Sequence, residues 1–89
     1  MKTSNAKCRE YVQNKEPFKA NNLHGQIEGG KYIVYSYGWY PLWAYVDGKW
    51  FENVDKYSSS TSKQKSQSCP LVETVKLSKE GMKDLVGNR

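Results

Sequence analysis

The residues from 31 to 53 constrain the fold of this chain more than any other part. The run KYIVYSY, residues 31–37, is rich in β-branched and aromatic residues, which is typical of a half-buried strand. Further along, Asp47-Gly48 separates two apolar runs and is a strong hairpin signal, because both residues tolerate positive φ. We therefore predict a three-stranded antiparallel meander with strands at 31–37, 42–46 and 49–52. In the first strand, one face would carry Ile33, Tyr35 and Tyr37, and the other Tyr32, Val34 and Ser36.

The N-terminal part has the pattern of one short helix followed by irregular chain. A helix over residues 6–14 would place Cys8, Tyr11 and Val12 on one face. Pro17 ends such a helix by the residue before it. Beyond the proline, we predict single anchors at Phe18 and Leu23, and turns at NNLHG (residues 21–25) and EGG (residues 28–30).

The C-terminal part has the pattern of a strand followed by a second short helix. Residues 71–77 alternate and predict a fourth strand. Ser78 is a good N-cap, and Leu77 before it pairs with Met82 in the spacing of a hydrophobic staple. The buried face of this helix would consist of Met82, Leu85 and Val86.

These elements predict a single α+β domain over residues 1–89. It would be a small antiparallel sheet of three to four strands, with short N- and C-terminal helices and the C-terminal helix on one apolar face. A chain of this length buries only about 60–65% of its unfolded surface. No apolar run has the length of a signal-peptide core or a membrane span, so we expect a soluble cytoplasmic protein with no membrane partner.

Chemistry-bearing residues are sparse. Cys8 and Cys69 show no metal-binding spacing, and the sequence leaves open whether they pair. His24 is the only histidine and falls in a Gly/Asn turn, so we interpret it as a turn residue. The sequence shows no Ser-His-Asp order, no paired carboxylates and no Gly-rich phosphate loop. We therefore predict a protein that is not an enzyme and uses no metal or cofactor.

The net charge of +5 favours an anionic partner, although a small domain is also kept soluble by such a charge. The stretch DKYSSSTSKQKSQ, residues 55–67, stands out because no acidic residue follows until after Val72. We call residues 56–67 the Lys/Ser segment. Lysine charge and serine hydroxyls suit phosphate oxygens, and a helical turn near residues 59–61 could hold an anion. A flexible Ser-rich loop has the same composition.

Nine aromatic rings lie between residues 32 and 51, and a two-layer domain would leave about half of them outside its core. Exposed rings could stack on nucleic-acid bases or form a protein-binding hot spot. Alternatively, both faces of the sheet are covered, by the N-terminal segment and by the Lys/Ser segment. The sequence leaves these three interpretations open.

The run YIVYSYGWYPLWAYVDGKWFENVDKYSSSTSKQKSQSCP, residues 32–70, resembles an uncharacterised family of small proteins encoded by bacteriophages, plasmids and related mobile elements. The family pattern has a V-Y-S-Y-G strand, a proline-centred turn, a hairpin, W-[YF]-x-N-x-x-[KR]-Y-S, then T-T-S-[KR]-H-x-S-Q and a proline. PFKANNLHG, residues 17–25, is similar to the approach to its first strand. Together these matches cover 48 of the 89 residues, a little over half of the chain.

Residue by residue, the pattern falls on three groups of positions. They are Phe18, Asn22, Leu23 and Gly25; then Tyr35, Ser36, Tyr37, Gly38, Pro41, Trp50 and Asn53; then Tyr57, Ser58, Thr61, Ser62, Lys63, Ser66 and Gln67. The chain departs from the family at Gln64, where histidine is frequent, and at Trp39-Tyr40. The resemblance implies a mobile-element origin and a recurring Lys/Ser motif, and it implies no activity.

We therefore expect a non-enzymatic phage or mobile-element accessory protein that binds nucleic acid or a nucleic-acid-handling complex in the host cytoplasm. Alternatives are an inhibitor of a host defence protein, acting through a protein surface, and a self-associating structural protein such as a homodimer. Tyr57 would be a buried anchor. The predicted binding residues are Lys56, Ser58, Thr61, Ser62, Lys63, Lys65 and Gln67, with Trp39, Tyr40 and Trp43 as exposed stacking rings.

Overall fold

The computed structural model describes residues 3–4, 7–20, 22–37, 40–55 and 68–86. These residues form six strands and two short helices, so the predicted α+β class is confirmed. The helices are α1 (Arg9–Gln13) and α2 (Lys79–Leu85). The strands are β1 (Phe18–Lys19), β2 (Leu23–Glu28), β3 (Lys31–Ser36), β4 (Tyr40–Val46), β5 (Lys49–Asn53) and β6 (Val75–Leu77).

The six strands form one sheet in the order β1-β2-β3-β4-β5-β6. Strands β1 to β5 are antiparallel neighbours, which confirms the predicted meander. Asp47 and Gly48 have φ values of 52° and 79°, as a tight two-residue hairpin requires. The predicted sheet of three to four strands was too small, because two strands precede the meander.

Strands β1 and β2 were missed because turn-forming residues dominate the sequence there. His24 and Gly25 were interpreted as a turn, yet both lie in β2 and pair with β1 and β3. Glycine is needed at position 25 because a Cβ would lie 2.4 Å from the Tyr32 hydroxyl and 2.7 Å from the Phe18 ring. The Tyr32 and Phe18 side chains lie so close to the backbone here that only glycine fits, and no turn is involved.

Strand β4 begins two residues earlier than expected and includes Pro41. Proline is disfavoured in a central strand because it donates no ladder hydrogen bond. Here the pairing of β3 with β4 shifts register between Val34 and Tyr35, at the level of Pro41. The side-chain amide of Asn53 donates to the Pro41 carbonyl at 2.8 Å, which supplies a hydrogen bond at this irregular site.

Strand β6 is shorter than the predicted strand over residues 71–77 and pairs with β5 in a parallel orientation. Leu71 has a φ of 59°, which is incompatible with an extended strand at that residue. Leu71, Val72 and Val75 are exposed, so alternation in this region did not indicate a buried face.

The two faces of the sheet carry separate apolar clusters, and each includes a buried residue of one helix, Val12 of α1 or Met82 of α2. The α1-side cluster contains Cys8, Val12, Phe18, Leu23, Tyr32, Val34, Tyr40, Leu42, Trp43 and Trp50. The α2-side cluster contains Ile33, Tyr35, Ala44 and Met82, with Val46, Phe51, Leu77, Leu85 and Val86 packed against it. The predicted faces of β3 are confirmed through Ser36, and α2 packs on an apolar face as expected.

The helix ends have the expected chemistry. The Ser78 hydroxyl accepts from the Gly81 backbone N–H at 3.2 Å, which confirms the N-cap. Asp55 adds a second cap, because its carboxylate accepts from the Lys79 backbone N–H at 2.9 Å. Helix α1 is shorter than predicted, although Cys8 and Val12 are fully buried and Tyr11 packs against their cluster.

Replacing Gly25 by Ala should lower the free energy of unfolding by about 1–3 kcal/mol, because the new methyl group overlaps Tyr32 and Phe18. Ile27→Ala is a matched control on the same strand: Ile27 is 58% exposed, so its truncation should cost less than about 1 kcal/mol. Urea unfolding measures both. Equal stability of Gly25→Ala and the unsubstituted protein would contradict this packing.

Candidate nucleic-acid interface

Most of the predicted binding residues lie outside the described residues. These are Lys56, Ser58, Thr61, Ser62, Lys63, Lys65, Gln67 and Trp39, and the same holds for the expected Tyr57 anchor and the helical turn near residues 59–61. The structure does describe the chain on either side of the Lys/Ser segment. The contacts at Asp55 and Ser68 therefore define how the segment is joined to the sheet.

The entry to the Lys/Ser segment is held by a fully buried asparagine. Asn53 donates from its side-chain amide to the Pro41 carbonyl, and its side-chain oxygen accepts from the Asp55 backbone N–H at 2.9 Å. The Tyr40 hydroxyl donates to the Asp55 carbonyl at 3.1 Å. Since the Asp55 carboxylate also caps α2, the chain entering the segment is fixed by both backbone groups and the side chain of Asp55.

The exit from the Lys/Ser segment is held by a buried tryptophan. The Trp43 indole N–H donates to the Ser68 hydroxyl at 3.0 Å, and the Ser68 side chain is fully buried. Pro70 follows two residues after Ser68, and its carbonyl accepts from the Gln13 side-chain amide at 3.1 Å. This hydrogen bond joins the exit of the segment to α1. Cys69 packs against the α1-side cluster between these two contacts.

Tyr40 and Trp43 thus have a different role from the one predicted. Their exposed fractions are 2% and 3%, so neither ring offers a face on which a base could stack. The prediction of exposed stacking rings was wrong for both residues. They anchor the two ends of the Lys/Ser segment, and because they are three residues apart on β4, their Cα atoms are about 10 Å apart.

The other described rings follow the same trend. Tyr32, Tyr35 and Trp50 are buried, and Tyr37 is the ring of this group that is largely exposed among the described residues. Tyr32 and Trp50 meet edge to face at 6.2 Å, and Tyr45 meets Trp50 at 5.3 Å. The aromatic run therefore contributes to cores on both faces of the sheet, and α2 packs on the second face. The expected cover by the Lys/Ser segment lies outside the described residues.

Positive charge is concentrated in two parts of the sequence. Residues 1–20 have five basic and two acidic side chains, and the Lys/Ser segment has three lysines and no acidic residue. Each part has a formal charge of +3, whereas the whole chain has +5, so all other residues together sum to −1. Helix α1 belongs to the α1-side cluster, as do the Tyr40 and Trp43 rings that hold the segment's two ends.

His24 lies in strand β2 and not in the predicted turn. Its ring packs on Tyr35, with centroids 5.5 Å apart, and its side chain hydrogen-bonds Gln26. Gln26 in turn donates to the Glu28 carboxylate, which also accepts from the Tyr35 hydroxyl at 3.2 Å. Burial chiefly, and then Lys19, lower the pKa of His24 from its ordinary value, so the imidazole is neutral at pH 7.

No disulfide joins Cys8 and Cys69. Burial raises the pKa of Cys8 to about 11, which keeps this thiol protonated and unreactive at neutral pH. Across the described ranges, no group of histidine, cysteine and acidic side chains is arranged to hold a metal ion. In the same part of the chain, neither helix has the length and hydrophobicity needed to cross a membrane.

Comparisons with protein-family models, with curated proteins and with solved structures found no match to this chain. The resemblance to mobile-element proteins stays a prediction that rests on the sequence motifs alone. Several motif positions nevertheless have a clear structural role: Asn53 holds the entry to the Lys/Ser segment, and Gly25 permits close packing under Tyr32.

A double-mutant cycle on Trp43→Phe and Ser68→Ala should detect the anchor at the exit of the Lys/Ser segment. Trp43→Phe keeps a ring in the core but removes the indole N–H, and each single substitution should lower the free energy of unfolding by about 1–2 kcal/mol. Because both remove the same hydrogen bond, the double variant should lose about 1 kcal/mol less than the sum. Strictly additive losses in urea unfolding would show that the bond contributes nothing.

Replacing His24 by Gln should make the stability of the protein less sensitive to a fall in pH. The pKa of His24 is lower in the folded protein than in the unfolded chain, so the unfolded chain binds this proton more tightly. The stabilisation from neutral His24 is present above pH 6.5 and is lost as the pH falls through the lowered pKa. Between about pH 7.5 and about pH 5, the free energy of unfolding should fall further for the unsubstituted protein than for the variant. An equal fall would contradict the lowered pKa.

Proposed function

We propose that this protein is a non-enzymatic accessory protein of a phage or mobile element that binds nucleic acid in the host cytoplasm. The Lys/Ser segment is its contact surface, with Lys63 and Lys65 facing phosphates and the serine hydroxyls donating to phosphate oxygens. The observation that carries this proposal is the pair of buried anchors, Asn53 with Asp55 and Trp43 with Ser68, at the two ends of the segment.

Buried hydrogen bonds at both ends support a binding role for a physical reason. Ordering a polar segment costs conformational entropy, roughly 1–2 kcal/mol per residue. A segment tied to one strand at two points has lost part of that entropy before any partner arrives, so less is lost on binding. A passive linker needs no such ties, whereas a phosphate-binding loop benefits from them.

The charge distribution supports the same proposal. The Lys/Ser segment and the N-terminal residues 1–20 account for all of the net positive charge of the chain. Both ends of the segment are held by residues of the cluster that includes α1. Lys7 and Lys15 are exposed next to α1 and would add to the attraction for a polyanion.

The proposal predicts salt-dependent binding that requires lysines of the Lys/Ser segment. If three lysines neutralise phosphates, a plot of log K against log salt should have a slope of about −2 to −3. Lys63→Glu/Lys65→Glu should weaken binding and make the slope shallower by about 2. Fluorescence anisotropy with labelled single-stranded DNA, single-stranded RNA and duplex DNA measures both quantities.

Lys31→Glu/Lys49→Glu is the matched control for this experiment. It produces the same change of net charge, and both lysines begin their strands at the hairpin end of the sheet, whereas Tyr40 and its partner Asp55 lie at the opposite end. This variant should keep the slope of the unsubstituted protein. If the two double variants weaken binding equally, net charge alone explains the effect and the Lys/Ser segment is not the contact surface. Absence of binding to all three probes at low salt would refute the proposal.

A second candidate function is inhibition of a host defence protein, and one observation favours it. Leu71, Val72 and Val75 are exposed within a stretch of five residues, and within the described residues no strand pairs with the outer edge of β6. An unpaired edge with apolar side chains is a recognised site for partner binding. Pull-down from host lysate with and without nuclease separates the two: a nuclease-resistant protein partner favours inhibition, and nuclease-sensitive partners favour nucleic-acid binding.

A further inference from the structure

A groove of about 350 Å³ lies beside strands β1 and β2, away from the anchors of the Lys/Ser segment. It is lined by Pro17, Phe18, Lys19, His24, Gly25 and Gln26. The groove exists because β1 is only two residues long and leaves the sheet at Pro17, whereas β2 continues to Glu28. Its volume lies at the lower end of the range for small-ligand sites, roughly 300–1,000 Å³.

Lys19 and His24 line this groove side by side, and Tyr35 lies behind His24 on the next strand. Lys19 pairs directly with His24 across β1 and β2, and His24 pairs with Tyr35 across β2 and β3, so the three lie in one row on the same face of the sheet. Lys19 is exposed, and His24 is half-buried. The row therefore places an ammonium group next to an imidazole at the border of the groove.

The imidazole is oriented by its neighbours. The Gln26 amide nitrogen donates to the Glu28 carboxylate, so the Gln26 oxygen remains to accept from one N–H of His24. The second ring nitrogen is then left for a ligand. The Glu28 carboxylate accepts hydrogen bonds from the Gln26 amide and the Tyr35 hydroxyl, and these donors partly offset its negative charge.

We infer that the groove between Lys19 and His24 is a binding site for a phosphate monoester. Lys19 supplies the positive charge, and protonated His24 donates a hydrogen bond to a second phosphate oxygen. A phosphate monoester carries close to two negative charges at neutral pH, more than a carboxylate, and accepts from several donors at once. The inference is independent of the proposed role of the Lys/Ser segment, since it uses none of the same residues.

Binding should change the protonation of His24. In the free protein, burial and then Lys19 disfavour the imidazolium, whereas the hydrogen bond to Gln26 and then Glu28 favour it; Tyr35 packs against the ring. A bound phosphate adds negative charge beside the ring, so His24 takes up a proton. The ligand and the proton therefore bind together, and each strengthens the binding of the other.

The test uses the fact that His24 is the only histidine in the chain. Its ring proton signals can be followed by NMR without assignment of the whole spectrum. We expect a saturable shift of these signals on titration with inorganic phosphate at constant ionic strength, and a higher His24 pKa in phosphate than in chloride. Lys19→Met should weaken phosphate binding about tenfold, as loss of a charge-assisted hydrogen bond implies.

Lys49→Met is the matched control. Lys49 is exposed at the start of β5, and two strands, β3 and β4, separate β5 from the groove at β1 and β2. It should bind phosphate like the unsubstituted protein. Equal weakening by both variants, or a shift of His24 that does not saturate, would overturn the site. Acetate should bind more weakly than phosphate, and equal affinity would overturn the phosphate assignment.

Two probes distinguish the sources of such a phosphate. Adenosine monophosphate represents a free nucleotide, and a 5′-phosphorylated oligonucleotide represents a strand end, with its 5′-hydroxyl form as the comparison. Tighter binding of the phosphorylated strand than of the free nucleotide assigns the site to strand ends, and the reverse order assigns it to nucleotides. If adenosine monophosphate gives no saturable shift of His24 and the phosphorylated and hydroxyl oligonucleotides give equal shifts, the inference is overturned, because no phosphate monoester is then recognised.

Discussion

Strand β4 is buried on both of its faces, and the rest of the described structure depends on this constraint. Leu42 and Trp43 pack into the α1-side cluster, whereas Ala44 packs into the α2-side cluster. Because this strand contributes to two cores, its polar groups need internal partners. The Pro41 carbonyl, the Tyr40 hydroxyl and the Trp43 indole N–H all find such partners, and these partners lie at the two ends of the Lys/Ser segment.

The same constraint changes the meaning of the aromatic residues. A small sheet covered on one side would expose half of its rings, and exposed rings near lysines suggest base stacking. In the described part of the chain, apolar clusters lie on both faces of the sheet, and Tyr37 is the ring of this group that stays largely exposed. Tyr40 and Trp43 therefore position the two ends of the Lys/Ser segment, and the proposed affinity for nucleic acid comes mainly from lysines and hydroxyls. Binding of this kind depends strongly on salt and weakly on base sequence.

The two proposed sites differ in how far the sequence could reveal them. The Lys/Ser segment is visible as a run without acidic residues, although its anchors are not, since Asn53 and Ser68 look like ordinary polar residues. The groove at Lys19 and His24 has no signal in the sequence. Its residues are five apart, in a stretch that turn chemistry dominates, and only the pairing of β1 with β2 brings them side by side.

By itself, the sequence determined three local features of this protein. The period-two pattern is confirmed for residues 31–36, as are the Asp47-Gly48 hairpin and the Ser78 cap, because all three depend on neighbouring residues. The strand was predicted one residue too long, since Tyr37 has a φ of 57°. The tertiary structure decided the number of strands, the parallel position of β6 and the burial of Tyr40 and Trp43. These features depend on residues distant in sequence, such as Phe18 under Gly25 and Ser68 under Trp43, whose contacts leave no periodic signal.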